Sequence, residues 1–430
     1  ASTGFFRPML RPDGQLLVYE YTGQGLTPSL VRPEVRSDLG TVEFLGTRVV
    51  NTHPELKQWG AGSPAKIDLE PLITERGMYN ATGRMKLAAA YPVIEGYKQK
   101  AAPGYYIHFE DPLQFHQLSA TLSVSPWGEM RGSERIHADI EYQTLNWKLR
   151  YWHNDADIYD LAGPVLRSRK GDAAIVSYNK TTIYDPPRQL DLFGSAAAYF
   201  GLEQLPSAQN ILSPENIYSI EAGAKYTNTR KSLGGVDHEK GIAWRLIGGV
   251  DHAEGDSFPH VAGGIDYGVP LPLSNSSAWI YAHAGIAGGK EDSPLGAYYL
   301  GSFRNNYVDN RPEKRYREME SFPGFEIDQI AARKFGKLTG EVNLPPLRFA
   351  EVGTPAFFLT YARPALFGGA MLLQSPEDRS YRLYDVGAQV DLAFTVAMRL
   401  PMVFSVGVAK GFGDKDIDGR MEWLASLKIM

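Results

Sequence analysis

The chain has 430 residues, of which 43% are hydrophobic, 22% charged and 12% aromatic; Gly numbers 44, Cys 0, and the formal net charge is −5. The hydrophobic fraction excludes a disordered chain. The lack of Cys excludes a disulfide scaffold, a thiolate zinc site and a cysteine nucleophile. The mild acidity leaves no whole-chain footprint for nucleic acid.

No run of 18 apolar residues occurs, so a transmembrane helix is not expected. A transmembrane β-barrel needs only ~9–11 residues per strand, with alternate residues facing lipid. The mean hydropathy of −0.28 fits such a barrel, because half of each strand would face a wet lumen. Ala1-Ser2-Thr3-Gly4 carries neither a basic region nor an apolar core. A secretory signal is therefore expected to have been removed, or to lie upstream.

In chain order, residues 6–10, 11–14 and 15–21 read as strand, turn and strand. The turn is set by Pro12-Asp13-Gly14. The unit resembles one blade edge of a Tol-type periplasmic propeller. One blade cannot bury a core, so residues 1–75 are assigned to a propeller-like remnant and a linker around Pro54 to Pro71.

Residues 80–430 are assigned to an all-β barrel. Alternating segments bounded by Gly, Pro, Asn or Asp place strands at 84–94, 104–109, 115–124, 134–143, 145–153, 172–181, 189–199, 217–228, 240–251, 259–269, 276–288, 296–304, 338–349 and 356–367. Three more follow at 385–398, 403–412 and 421–430. The seventeen segments are read as about sixteen antiparallel strands, to within two. In the segment Asp385–Met398, Val386, Ala388, Val390, Leu392, Phe394, Val396 and Met398 share one face, opposite Asp385, Gln389 and Asp391. Its length, about 43 Å at ~3.3 Å per residue, projects to about 30 Å at ~45° tilt, which spans a membrane. In the last strand Trp423, Ala425, Leu427 and Ile429 alternate with Glu422 and Lys428. A water-filled lumen accepts Lys428, whereas a sandwich core would not. Tyr105, Tyr106, Trp127, Trp147, Tyr151, Trp152, Tyr298 and Tyr299 are expected in an interfacial girdle.

The segment 301–326 is too long for a hairpin turn and is dense in Arg and Asn; five strands follow it. Here the chain resembles the bacterial surface antigen superfamily of outer-membrane assembly and translocation barrels. That resemblance implies a sixteen-stranded barrel. Its long sixth loop, between strands eleven and twelve, folds back into the lumen. The family's loop tip carries a Val/Ile-Arg-Gly-Phe/Tyr signature whose Arg meets acidic residues on the inner wall. The matching place here reads Phe322-Pro323-Gly324-Phe325, with Pro323 at the Arg position. Arg315 and Arg317 stand nearby as substitutes, and Glu341, Asp385 and Asp391 are the inner-wall candidates. The family usually ends in an aromatic residue, whereas this chain ends Leu427-Lys428-Ile429-Met430.

The resemblance implies insertion or translocation of proteins at the outer membrane through a lateral seam between first and last strands. The seam residues are Tyr91, Pro92, Trp423, Ala425 and Leu427. Pro92 removes one ladder donor. Expected partners are outer-membrane lipid and lipopolysaccharide, unfolded outer-membrane or exported proteins, and accessory lipoproteins. No cofactor, metal or catalytic residue is expected, and no enzyme activity. The alternative is a passive pore or surface receptor with the loop as plug. A lipase-like barrel lacks a recognisable nucleophile–base pair, and a soluble all-β module conflicts with long two-faced strands. His153 with Asp155, Asp157 and Asp160, His238 with Asp237 and Glu239, and His252 with Asp251 have metal-ligand chemistry, but each reads better as a polar turn. The basic run Arg167 to Gly171 reads as a solvated loop or a contact for lipid phosphates.

Overall fold

The computed structural model describes residues 5–22, 25–33, 51–55, 70–74, 77–97, 100–128, 130–154, 170–203, 214–290, 293–303, 313–327, 329–349, 352–414 and 416–429. The chain divides into two compact units, Ala1–Asn80 and Ala81–Met430. The linker residues 56–69 and most of the basic run lie outside the described residues, as do Asp155, Asp157 and Asp160.

In the first unit β1 (Phe5–Leu10), β2 (Leu16–Thr22) and β3 (Gly25–Val31) form an antiparallel sheet in sequential order. The turn between β1 and β2 closes with the Arg11 amide donating to the Gln15 carbonyl at 2.9 Å. Gly14 supplies the left-handed position there, with φ +78°.

The second unit starts with β4 (Lys86–Tyr97), β5 (Lys100–Glu110), β6 (His116–Val124), β7 (Ile136–Thr144), β8 (Trp147–His153) and β9 (Asp172–Asp185). Next come β10 (Arg188–Phe200), β11 (Ile217–Arg230), β12 (Lys240–Ala253), β13 (Asp256–Pro270) and β14 (Ser277–Ala287). A two-stranded sheet of β15 (Tyr298–Leu300) and β16 (Ile330–Ala332) stands apart from the wall. The wall resumes with β17 (Lys334–Asn343), β18 (Leu347–Arg348), β19 (Gly353–Thr354), β20 (Phe357–Gln374), β21 (Ser380–Val396), β22 (Leu400–Phe412) and β23 (Met421–Ile429).

Eighteen strands stand in the barrel order, and β18 and β19 continue the position of β17 along β20, so sixteen positions remain among the described residues. β14 is the eleventh position and β17 the twelfth, with the long loop between them. The expected strand at 296–304 is corrected: only Tyr298–Leu300 is extended, and it pairs with Ile330–Ala332 rather than with the wall. Tyr298 accordingly packs edge-on against Phe335, with ring centroids 5.2 Å apart, instead of joining a girdle. Met398 is corrected too. Ala397 and Met398 have φ +49° and +61° and form the turn between β21 and β22.

The side-chain pattern runs inside out relative to a soluble protein. On β17, Phe335, Lys337, Thr339, Glu341 and Asn343 are buried while Leu338 and Val342 face outward. On β21, Asp385, Gln389 and Asp391 are buried, whereas Val386 is 53% and Val390 44% exposed. Tyr105, Trp127, Trp147, Tyr151, Tyr384, Phe412 and Trp423 are all exposed. A water-facing surface with this much continuous apolar area would aggregate; a hydrocarbon surround satisfies it. The fold is a transmembrane antiparallel β-barrel.

Candidate functional site: a loop pinned inside the barrel

The loop leaves the wall after β14 and rejoins it at β17. Its two limbs meet at a bridge between Ser302 and Phe322. Lys337, pointing inward from β17, donates to the carbonyls of Glu318 at 2.5 Å and Ser321 at 2.7 Å. Phe322 and Phe325 are fully buried, stacked with centroids 5.3 Å apart, in a cluster with Leu300, Ile330, Phe335, Met371 and Leu383. Deeper, Tyr316 stacks on Phe367 at 3.9 Å, and Phe303 meets the same ring edge-on at 5.9 Å. Inward aromatic positions on β17 and β20 thus supply apolar seats for the loop within an otherwise polar lumen.

At the far end of the loop lies an ion cluster. Arg317 grips both oxygens of Glu341, with Nε 2.8 Å from Oε2. The same guanidinium reaches Asp237 Oδ2 at 3.0 Å. Lys314 Nζ lies 3.4 Å from Glu341 Oε1 and contacts Asn343. Arg363 on β20 bridges Asp237 at 3.0 Å and Asp391 at 2.8 Å. Asp391 also accepts from Ser405 at 2.7 Å and Gln389 at 2.6 Å. Gln389 in turn donates to the Glu313 carbonyl at 2.8 Å.

Antiparallel neighbours place successive turns at alternate ends of a barrel. Asp237, between β11 and β12, is therefore at the end opposite the one through which the loop enters. Glu341 lies roughly 23 Å along β17 from its start at ~3.3 Å per residue. The loop runs down the wall and is fastened near the opposite mouth.

Burial opposes ionisation of Asp237, yet Arg317, Arg363 and Lys314 outweigh it and hold the carboxyl well below the usual carboxylate range. Burial pushes the Lys314 ammonium down to about 8, against the pull of Glu341. His238 stays beside Asp237, its imidazole pushed down mainly by burial.

Of the residues singled out in the sequence, Arg317 and Glu341 come together directly. Arg315 is buried in the same short 3-10 turn as Arg317. Asp391 is taken by Arg363 rather than by a loop arginine, and Asp385 forms no ion pair with a described residue. Gly324 carries φ +87° and packs backbone to backbone on Gly411, where an added Cβ would lie 2.1 Å from the Gly411 amide nitrogen. That contact explains the glycine. Pro323 in the place of the signature arginine is buried and sends no charge to the wall. His153 pairs with Asp172 at 2.7 Å and His252 with Ser257 at 3.1 Å. Among the described residues no cluster of three His, Asp or Glu is arranged for a metal ion.

Four participants escaped the sequence. Lys314, Asp237 and Arg363 complete the ion cluster. Glu422 on β23 accepts the backbone amides of Phe303 at 3.0 Å and Gly324 at 2.7 Å.

The predicted seam residues sit on β4 and β23, which are hydrogen-bonded neighbours in the closed barrel order. Every other adjacent pair of full-length strands is joined by a residue-by-residue ladder; among the described residues no such ladder runs between β4 and β23. β4 is bulged at Ala88 and contains Pro92 opposite Tyr105 of β5. Tyr91, Trp423 and Ala425 are exposed and Leu427 is half-buried.

Outward apolar bands, an inward polar network and a loop folded into the lumen define a β-barrel membrane protein of the outer-membrane type. Two solved structures similar to it are CdiB from Escherichia coli and Wzi. CdiB is 16% identical with a TM-score of 0.43, over 78% of this chain and 61% of that one. Wzi, an outer-membrane carbohydrate-binding β-barrel involved in group 1 capsule assembly in Escherichia coli, is 11% identical with a TM-score of 0.28, over 77% of this chain and 81% of that one. The chain thus spans 61% of the length of CdiB. No protein-family model and no curated protein sequence matches the chain.

Proposed function

We propose that the chain works in a bacterial outer membrane as a barrel that inserts or translocates proteins through a lateral seam between β4 and β23. The observation that carries this reading is the junction itself. Sixteen positions make one continuous antiparallel meander, and the missing ladder falls where the first strand meets the last. β4 has the marks of an edge strand, a bulge and a proline. An unpaired edge is a template for an incoming strand. Exchange of one set of β hydrogen bonds for another needs neither nucleotide nor covalent chemistry, so the protein acts without being an enzyme. Its partners are outer-membrane lipid and lipopolysaccharide, an unfolded outer-membrane or exported polypeptide, and accessory lipoproteins.

The chain has no Cys, which gives a clean background for testing. Cysteines replacing Tyr91 and Ala425, joined by thiol cross-linkers of graded length, are expected to abolish substrate insertion until the link is cut. Full insertion with the link intact contradicts the seam.

A second reading, a plugged pore or receptor, is supported by a cavity of about 560 Å³. It lies between Arg317–Met319 of the loop and the wall of β10–β14, lined by Lys225, Arg245, Asp266 and His283. Large steady conductance steps in planar bilayers would show an open passive pore; small erratic ones would show the loop plugging the lumen.

A further inference from the structure

We infer that Glu422 makes the folded-in loop a strap on the seam strand, so that β23 is freed only when the loop lets go. The inference rests on the reading of the β4–β23 junction as a seam and adds a control to it.

β23 has a full ladder on one edge, from Met402 opposite Ile429 to Lys410 opposite Met421. Toward β4 it has none among the described residues. Its inner face is seated on the loop. Glu422, 7% exposed, spends its two carboxylate oxygens on two amides from opposite limbs of the loop, Phe303 and Gly324. Hydrogen bonds to a charged acceptor are the stronger kind. Two residues on, Leu424 is buried in one cluster with Phe303 and Tyr316. Lys428 Nζ reaches Glu313 Oε1 at 3.7 Å. The inward residues Glu422, Leu424 and Lys428 therefore all bear on the loop.

The rim is fastened as well. The Arg420 amide donates to the Gly324 carbonyl at 2.7 Å, and the Arg420 side chain pairs with Glu326. Gly411 on β22 lets the loop approach, since a Cβ there would stand 2.3 Å from the Gly324 oxygen. Inserting an incoming strand beside β23 requires that strand to move away from β4. Its inner face cannot move without breaking the Glu422 bonds. The loop is consequently the latch of the seam as well as a filling of the lumen.

The test uses the full chain in lipid vesicles. Ser321, buried on the loop, is replaced by Cys as a reporter of loop release. A membrane-impermeant maleimide reads its labelling rate, and hydrogen exchange reads the amides of residues 421–429. Glu422→Gln leaves one acceptor for two amides. It is expected to raise both rates together by about tenfold while β12 and β13 stay unchanged. Glu422→Asp, which keeps the charge on a shorter arm, gives a smaller joint rise and carries the test where Gln is not tolerated. Faster labelling with unchanged β23 exchange, or no change in either, overturns the strap. Neither readout involves a substrate. A failed seam lock would sink the proposed function and leave this coupling standing, and the reverse holds too.

Discussion

Arg317 and Glu341 form a two-point grip between the folded-in loop and the inner wall, with Nε 2.8 Å from one carboxylate oxygen and the terminal nitrogen on the other. They are 24 residues apart in sequence. Glu341 is fully shielded from solvent, so the charge it carries depends on the loop being in place.

Removing one partner should leave a buried charge behind. Arg317→Ala is expected to destabilise the folded barrel by about 3 kcal/mol. Arg317→Lys should recover only part of that, because an ammonium cannot span both oxygens. Urea unfolding of the full chain in detergent measures both; a loss under about 0.5 kcal/mol would mean the grip is solvated and holds nothing.

Acid should loosen the same anchor. Asp237 has its folded-state pKa lowered by Arg317, Arg363 and Lys314, which outweigh its burial. A carboxylate of ordinary pKa ~3.9 in the unfolded chain then contributes stability that is whole above about pH 5 and is lost as pH falls below it. Hydrogen-exchange protection of residues 313–325, corrected for intrinsic rates, is expected to fall between pH 5 and pH 3 on the order of tenfold. In Asp237→Asn the protection should already be low at pH 7. Protection independent of pH in the parent chain contradicts this account of the anchor.

Two glycines on the wall give a matched pair. At Gly411 an added Cβ would meet the Gly324 carbonyl oxygen at 2.3 Å, whereas at Gly336 nothing lies within 4 Å. Gly411→Ala should displace the loop tip and accelerate thiol labelling of the Ser321→Cys reporter several-fold. Gly336→Ala should be silent within about 0.5 kcal/mol. Equal behaviour of the two would refute the backbone contact.

The parts legible in the sequence are those written in period two. The alternation from Lys334 to Asn343 and from Asp385 to Val396 is visible without coordinates, because lipid and lumen select opposite side chains. The stretch around Tyr298 to Phe303 misleads for a physical reason. It is apolar and extended, yet its apolar side chains pack on the loop's own cluster, and composition cannot distinguish that surround from lipid. Glu422 leaves no trace, since its partners are backbone amides present at every residue. Asp237 could be named as one of a polar turn, but its meeting with Arg317, 80 residues away, is made by the curvature of the wall around the loop. Arg317 and Glu341 could be nominated from charge and loop position; which carboxylate each cation takes could not.

In the membrane, Val386 and Val390 touch hydrocarbon while Asp385 and Asp391 face the lumen. Spin labels placed singly along residues 384–395 in lipid vesicles, probed with oxygen and with a water-soluble nickel chelate, measure this directly. Strict alternation is expected, with oxygen favoured at the even-numbered positions and protection from oxygen at the odd ones. The opposite phase, or no alternation at all, would contradict it.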